Sequence, residues 1–270
     1  MANTAYSDYL EEKIASHLFR TNSWSKIGTI YFALLTSAPS DSGGGTEVIS
    51  GNYTRVAITP LDTNFSVTGN TATNLVPITF STPNAAWGVI THIAAYDAAS
   101  GGNLLFWDEL TTPKTVGASD PAPSWPAGAF IFIYNSTSTE LATQILSFIF
   151  KTLATWTKPT SLIFDLYTAA PTVAGGGTKV TGGSYAAQSI TPLDANFPIT
   201  VNGTNGTTSV TNANAITYPS PTVNWGTINA LGISTNTGFF VSWQALSAKN
   251  INAGDIAPSI AASNLVWAVN

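Results

Sequence analysis

The sequence contains no cysteine and few charged residues, and these two absences exclude several classes of function. Without cysteine, a disulfide framework, a thiol nucleophile and a thiolate metal site are all impossible. Only 9% of the 270 residues are charged, against roughly 25% in an average soluble domain. The nine Lys and Arg residues are not clustered and the formal net charge is -5, so we expect neither nucleic acid nor an anionic membrane surface as a partner.

Long apolar runs are also missing. Near the N-terminus, Asp8, Glu11, Glu12 and Lys13 interrupt the stretch where a signal peptide would need an uninterrupted apolar region. The sequence therefore predicts neither export by the general secretory route nor a membrane span. Ser, Thr, Asn, Gly and Ala fill the polar positions instead, and a surface of this kind repels its neighbours weakly. This composition favours a protein that packs into an assembly.

An internal repeat organises the chain. "ITPLDTNF" at residues 58–65 returns as "ITPLDANF" at residues 190–197, and the same offset of 132 aligns residues 43–65 with residues 175–197 at 14 identities in 23 positions. Such agreement indicates a duplication. Each copy fills about half of the chain, and the polar stretch "YNSTSTE" (134–140) separates them. We therefore expect two domains, residues 1–135 and 136–270.

Each copy begins with a helical pattern. In the first copy, Tyr6, Leu10, Ile14 and Leu18 recur every four residues, as in an amphipathic helix. In the second copy, Thr137 and Glu140 have the spacing of a capping box, and the segment "LATQILSFIFKTL" that follows is apolar on nearly all sides. We expect the second helix to be buried between the copies and the more polar first helix to contact a partner.

After each helix the apolar period changes to two, as in "IYFALLT" (30–36) and "LIFDLYT" (162–168). The first copy contains further strand patterns at 54–58, 75–80, 89–96, 104–107 and 130–134. One helix and about six or seven short strands in each copy predict a mainly β fold of two tandem β-sandwich-like domains, each with an N-terminal α-helix.

No pattern of catalytic residues is found. The repeated Asp62 and Asp194 lie in a "TPLD" turn motif, where we expect the Asp side chain to bond nearby backbone N–H groups. The repeated "GGG" lacks the Lys-Ser/Thr of a P-loop and predicts a loop tip. Neither His17 nor His92 has a recognisable nucleophile or zinc-ligand partner. We therefore predict no enzyme, no catalytic or metal-binding residue and no cofactor.

The tryptophans are the candidates for binding. Trp87 and Trp225, and likewise Trp107 and Trp243, repeat within strand patterns, which favours core packing. The remaining candidates, all in loop-like stretches, are Trp24, Trp125 and Trp156. Aromatic rings beside amides and hydroxyls are typical of sugar-binding sites, so these three are the predicted contacts to a partner or a glycan.

The first copy resembles a family of bacteriophage virion structural proteins commonly labelled tail fibre proteins. The resemblance rests on "YLEEKIASHLF", "IYFALLTSAPSDSGGGTEV", "WGVITHIAAYDAASGGNLLFWDELTTPKTV" and "AGAFIFIYN", and covers nearly all of residues 1–135. Positions that match the family pattern are Tyr53, Arg55, Trp87, His92 and residues 101–106. The second copy departs from that pattern at Lys179, Ala187 and Ala230. The resemblance implies a virion location, assembly in the host cytoplasm and no catalytic residue.

Three functions remain open at this point. A long tail fibre would show coiled-coil heptads or many short β-solenoid repeats, which are absent, whereas a compact two-domain body suits a capsid decoration or cement protein. Capsid decoration is therefore the leading hypothesis, with a tail-fibre or other tail subunit as the alternative and a glycan-binding adhesin module as the third. The expected partners are other virion proteins, either the major capsid protein or tail proteins, with self-association as a further prediction.

Overall fold

The computed structural model describes residues 5–136, 138–152, 156–202 and 207–269. The chain forms two halves, residues 5–136 and 138–269, with matching element order. The first half contains β1 (Ala5–Tyr6), α1 (Asp8–Phe19), β2 (Ile30–Ser37), β3 (Thr46–Glu47), β4 (Val56–Ile58), β5 (Phe65–Thr68), β6 (Thr71–Asn74), β7 (Ile78–Thr79), β8 (Gly88–Tyr96), β9 (Leu104–Val116), β10 (Ser124–Trp125) and β11 (Ile131–Ile133).

The second half repeats this order from its helix onward. It contains α2 (Thr139–Phe150), β12 (Leu162–Ala169), β13 (Thr178–Lys179), β14 (Gln188–Ile190), β15 (Ile199–Asn202), β16 (Thr207–Thr211), β17 (Ile216–Thr217), β18 (Gly226–Thr235), β19 (Phe240–Ile251), β20 (Ser259–Ile260) and β21 (Val266–Val269). Each strand from β2 to β11 thus has its counterpart ten strands later. The chain is 42% strand and 9% helix, which confirms the prediction of a mainly β fold with one helix in each copy. No helix in the described part of the chain is long and apolar enough to cross a membrane.

Within the described residues, each half has three antiparallel sheets. In the first half, the large sheet has the order β1-β9-β8-β2-β3 with β4 beside β2, the three-stranded sheet has the order β11-β6-β5, and β10 pairs with β7. The second half repeats these as β13-β12-β18-β19 with β14 beside β12, β15-β16-β21 and β17-β20. The large and three-stranded sheets pack face to face through aromatic side chains, and Phe106 and Phe132 lie 4.5 Å apart between ring centroids.

A serine caps each helix. The Ser7 hydroxyl accepts the Leu10 N–H at 3.2 Å and the Ser138 hydroxyl accepts the Leu141 N–H at 3.1 Å, which satisfies a free N–H of the first turn. The capping box predicted for the second helix is therefore wrong in its cap residue, and Thr137 lies outside the described residues. Glu140 instead accepts the backbone N–H of Phe240 at 2.9 Å.

The two helices are exchanged between the halves. Helix α1 lies between β9 of its own half and β15 and β16 of the second half, and α2 lies between β19 of its own half and β5 and β6 of the first half. Phe19 at the end of α1 packs 5.5 Å from Phe197, and Phe150 at the end of α2 packs 5.0 Å from Phe65. One contiguous apolar core therefore runs through both halves. Helix α1 buries as many residues as α2, so the difference in burial expected between the helices is not found, and a contact of α1 with an outside partner stays a prediction.

The repeated octapeptide belongs to this exchange. Each copy forms a turn in which the Asn side chain, Asn64 or Asn196, donates to the carbonyl five residues earlier at 2.9 Å. The preceding aspartates reach the opposite half. Asp62 forms an ion pair with Lys151 after α2 at 3.0 Å, and Asp194 accepts the backbone N–H of Thr21 after α1 at 3.1 Å. The predicted turn is present, but the Asn rather than the Asp holds it, and the Asp contacts the other half.

Candidate functional site

Two equivalent clefts open on the surface, one in each half. The first cleft has a volume of about 340 Å³ and is lined by Leu34, Ile90, Leu110, Thr111, Thr112, Lys114, Val116, Pro123, Ser124, Trp125 and Ala129. The second cleft, of about 220 Å³, is lined by Leu166, Tyr218, Ile228, Leu246, Ser247, Lys249, Ile251, Pro258, Ser259 and Ile260. Most of their lining residues correspond along the repeat, except Thr112 and Ala129 of the first cleft and Tyr218 of the second, so the duplication has produced a similar surface feature twice.

A bulge in the long strand forms one wall of each cleft. Strand β9 pairs with β8 at Lys114 opposite Ile90 and again at Glu109 opposite His92, so residues 110–113 face a single residue of β8. Strand β19 has the same irregularity, with residues 246–248 between its pairs to Ile228 and Ala230. Extra residues bend a strand away from its ladder. Short strands β10 and β20 form the opposite wall.

The first cleft combines an apolar floor with a polar rim. Leu34, Ile90 and Val116 at its floor are 0–1% exposed, and β2, β8 and β9 place them there by strand alternation. On the wall, the half-buried Trp125 packs edge-on against Phe80 at 6.0 Å between ring centroids. At the rim, Thr111, Thr112 and Lys114 are exposed, and the Ser124 hydroxyl bonds that of Thr79 at 2.7 Å.

Lysine is the charged residue common to the two clefts. Lys114 and Lys249 occupy the same register position, opposite Ile90 and Ile228 respectively. Among the described residues that line either cleft there is no carboxylate. The main chemical difference lies at the opposite wall, where Trp125 of the first cleft corresponds to Ile260 of the second.

The three tryptophans that were predicted as contacts lie in two different places in the structure. Trp24 and Trp156 are each 8% exposed and lie where the ends of the two helices meet. Trp24 packs 5.1 Å from Phe148 and Trp156 packs 4.2 Å from His17, between ring centroids. Burial removes the free ring face that a partner or sugar would need. Trp125 lies apart from this pair, in the first cleft.

The strand tryptophans also divide into two groups. Trp87 and Trp225 are 4% and 5% exposed, as their strand patterns predict. Trp107 and Trp243 are half-buried, and Trp107 packs on a small apolar cluster that includes Ala94 and Tyr96, separate from the main core. For this second pair the expectation of core burial is wrong.

Two ionisable groups are buried at the junction between the halves. Glu11 is 1% exposed and accepts the backbone N–H of Thr208 at 2.8 Å, and its burial raises its pKa to about 8. His17 accepts the Trp24 N–H at its Nδ1 at 3.1 Å, and burial lowers its pKa to about 4. Each shift disfavours the charged form inside the protein.

Arg55, one of the positions that match the family pattern, forms an ion pair. Arg55 binds Glu47 through two nitrogens at 2.9 and 2.7 Å and covers the ring of Tyr96 at 3.7 Å. In the second half Lys179 replaces Glu47 and Ala187 replaces Arg55, and Lys179 forms a different ion pair with Asp165 on β12 at 2.7 Å. His92 bonds its neighbour Thr91 at 2.8 Å. In the described part of the chain, no three His, Asp or Glu residues are grouped to hold a metal ion.

Sequence reasoning identified Trp125 but missed the rest of the cleft. The pattern that marks it is a Leu followed by a Lys inside a long strand, Leu110 with Lys114 and Leu246 with Lys249, with Pro113 interrupting the first strand. Pro in a strand indicates an edge or a bulge. The two walls of the first cleft, residues 110–116 and 123–129, are close in sequence, but the floor residues Leu34 and Ile90 are not, so the cleft follows only from the sheet topology.

A comparison with protein families finds a match over both halves. The model of a family described as podophage GP4 fiber I protein gp80 matches the chain twice, over residues 5–132 and over residues 136–268. No curated protein matches the chain. The two matched segments together span nearly the whole sequence.

Proposed function

The chain belongs to the podophage GP4 fiber I protein gp80 family, and on that premise we propose that it is a non-enzymatic subunit of a phage fibre, held in place by other virion proteins. A phage fibre protein is a structural component of the virion. The family supports the tail-fibre alternative of the sequence analysis. It does not support capsid decoration, which was the leading hypothesis.

The exchange of helices is the observation that carries this proposal. Each half covers its three-stranded sheet with the helix of the other half, so neither half can move without exposing apolar surface. The contacts are reciprocal, as in an isologous dimer interface. In this proposal, residues 1–135 and 136–270 are two repeats that form one rigid body, which suits a part that must keep its orientation within a fibre.

The surface supports attachment through uncharged groups. With 9% charged residues in the chain and the basic side chains Lys151, Arg55 and Lys179 engaged in ion pairs within the molecule, few charges remain for an electrostatic contact. Hydrogen bonds and apolar contacts, which salt weakens little, are then the expected means of binding to other virion proteins.

Labelling intact particles tests the proposal. Fab fragments raised against the purified chain would be bound to purified virions and located by electron microscopy, with Fab fragments from non-immune serum as the control. Label confined to fibres is the expected result. Label over the capsid shell would instead favour decoration, and a chain absent from purified particles would contradict a structural role in the virion.

A further inference from the structure

We propose that the first cleft is a binding site for an acidic saccharide, with a pyranose ring against Trp125 and its carboxylate at Lys114. The proposal concerns the isolated chain and does not depend on where the chain sits in the particle. It rests on the size of the cleft, the chemistry of its two walls and the contrast with the second cleft.

The size of the first cleft fits a small ligand. Its volume of about 340 Å³ falls within the range of roughly 300–1,000 Å³ that is usual for small-molecule sites. The second cleft, at about 220 Å³, falls below that range. Only the first therefore has room for a sugar ring together with its substituents.

Trp125 supplies the surface for a sugar ring. Phe80 supports the indole edge-on, and the half-buried ring contributes its remaining surface to the cleft wall. An indole held by packing loses little freedom when a ligand stacks on it, and its apolar face suits the C–H face of a pyranose. The hydroxyls of Thr111 and Thr112 line the same cleft, where they can bond the hydroxyls of the sugar.

Lys114 selects for an acidic ligand. It lines the cleft and forms no ion pair within the described part of the chain. Since no carboxylate shares that lining, a ligand carboxylate would meet one positive charge and no opposing negative one. The polar rim disfavours a wholly apolar ligand, and a single lysine in a chain of net charge -5 disfavours a nucleic acid.

The second cleft serves as an internal control, because it resembles the first cleft but lacks the tryptophan. It keeps a lysine, Lys249, and a hydroxyl, Ser247, but has Ile260 where the first cleft has Trp125. The aromatic residue in its lining, Tyr218, is 2% exposed and therefore offers no free ring face for stacking. We therefore expect one saccharide per chain, bound in the first cleft.

The test uses the full-length chain and a glycan array of acidic and neutral saccharides, followed by calorimetry with trigalacturonic acid and its methyl ester. Acidic saccharides should bind, with one trimer per chain and at least about tenfold weaker binding of the ester. Trp125→Ala should weaken trimer binding at least about tenfold. Lys114→Gln should remove the preference for acid over ester. The matched controls Ile260→Ala and Lys249→Gln should bind like the original chain.

Three results would overturn the proposal. These are an array without any acidic saccharide bound, a Trp125→Ala chain that binds at full strength, and controls that lose as much affinity as the first-cleft variants. Because Trp125 also packs on Phe80, Trp125→Phe is included and should retain most of the affinity. If the Trp125→Ala variant fails to fold, the variant of the exposed Lys114 provides the test. A Lys114→Gln chain that still binds the acid more tightly than the ester by the original factor would refute the site.

Discussion

Asp62 and Asp194 are the carboxylates that the duplicated octapeptide preserves, and both bind the opposite half. Their contacts are partly exposed, at 41% and 54% for the two side chains, where an ion pair contributes roughly 0.2–1 kcal/mol. We expect Asp62→Asn and Asp194→Asn each to lower the free energy of unfolding by no more than about 1 kcal/mol. Urea denaturation would measure this, with the exposed Glu12→Gln as control. A loss well above that value would show that the pair matters more than its exposure indicates.

Trp87 and Trp225 are buried at equivalent positions in the two halves. Each meets a tyrosine edge-on, Trp87 with Tyr53 at 5.3 Å and Trp225 with Tyr185 at 5.1 Å. Truncation of a buried Trp leaves a large cavity, so Trp87→Ala and Trp225→Ala should each cost roughly 3–5 kcal/mol. The half-buried Trp107→Ala should cost clearly less. Equal melting temperatures for the Trp87, Trp225 and Trp107 variants would contradict the difference in burial.

At the scale of single residues, the sequence predicts the burial of a side chain only where the local pattern of residues determines it. The repetition of Trp87 and Trp225 within strand patterns favoured core packing, and both are buried, each one residue before a strand, β8 or β18. Trp24 and Trp156 were predicted as contacts because they lie in loop-like stretches, and both are buried instead. Their burial depends on contacts across the halves, such as Trp24 with Phe148, and a local pattern contains no information on such contacts.

Among the secondary-structure elements, α1 carries the clearest pH dependence. The pKa of Glu11 is raised to about 8 in the folded chain, above its value in an unfolded chain, so folding favours its protonated form. This contribution to stability is fully present below about pH 4.5 and declines as the pH rises toward 8. His17 acts in the opposite sense, since its folded pKa of about 4 makes stability fall as the pH drops below about 6.5.

Above about pH 6.5, Glu11 is the one of these two groups that still changes the free energy of unfolding. We therefore expect the free energy of unfolding to fall between pH 6.5 and 8.5, by up to about 1.4 kcal/mol per pH unit for one proton. Glu11→Gln, which keeps an acceptor for the Thr208 N–H, should flatten this decline, and the exposed Glu12→Gln should not. Denaturation at several pH values would measure both. An unchanged slope in Glu11→Gln would mean that Glu11 titrates normally.

Strands with a clear apolar alternation were predicted from the sequence, and strands without such an alternation were missed. The alternating patterns of β2 and β12 identified them directly. The hairpin of β5 and β6 was missed, because "FSVTGNTATN" contains few apolar residues. Its buried members, Phe65 and Ala72, face a helix supplied by the other half. Glycine supplied a reliable signal: Gly43–Gly45 and Gly175–Gly177 all adopt positive φ, as expected for loop tips.

For the whole molecule, the sequence predicted the duplication but not the exchange. Residue identity at an offset of 132 shows that the halves are related, yet two independent domains and two exchanged ones have the same repeat. What distinguishes them is which sheet each helix covers, and both helices carry enough apolar residues for either arrangement. The apolar character of α2 correctly indicated burial, whereas α1 conceals Glu11 and His17 in the junction and so looks like a surface helix.

The exchange predicts that the two halves stay together after the chain is cut between them. A protease site inserted after Asn135 would separate the two repeats covalently, while Phe19 would still pack on Phe197 and Phe150 on Phe65. The nicked protein should elute at the size of the intact chain in size-exclusion chromatography, and high salt should not divide it, because the junction is mainly apolar. Phe197→Asp places a charge in that contact and should promote separation, whereas the exposed Leu193→Asp serves as the matched control. Fragments that separate in native buffer without any substitution would show that the halves are independent domains, and the rigid body on which the fibre proposal depends would then be lost.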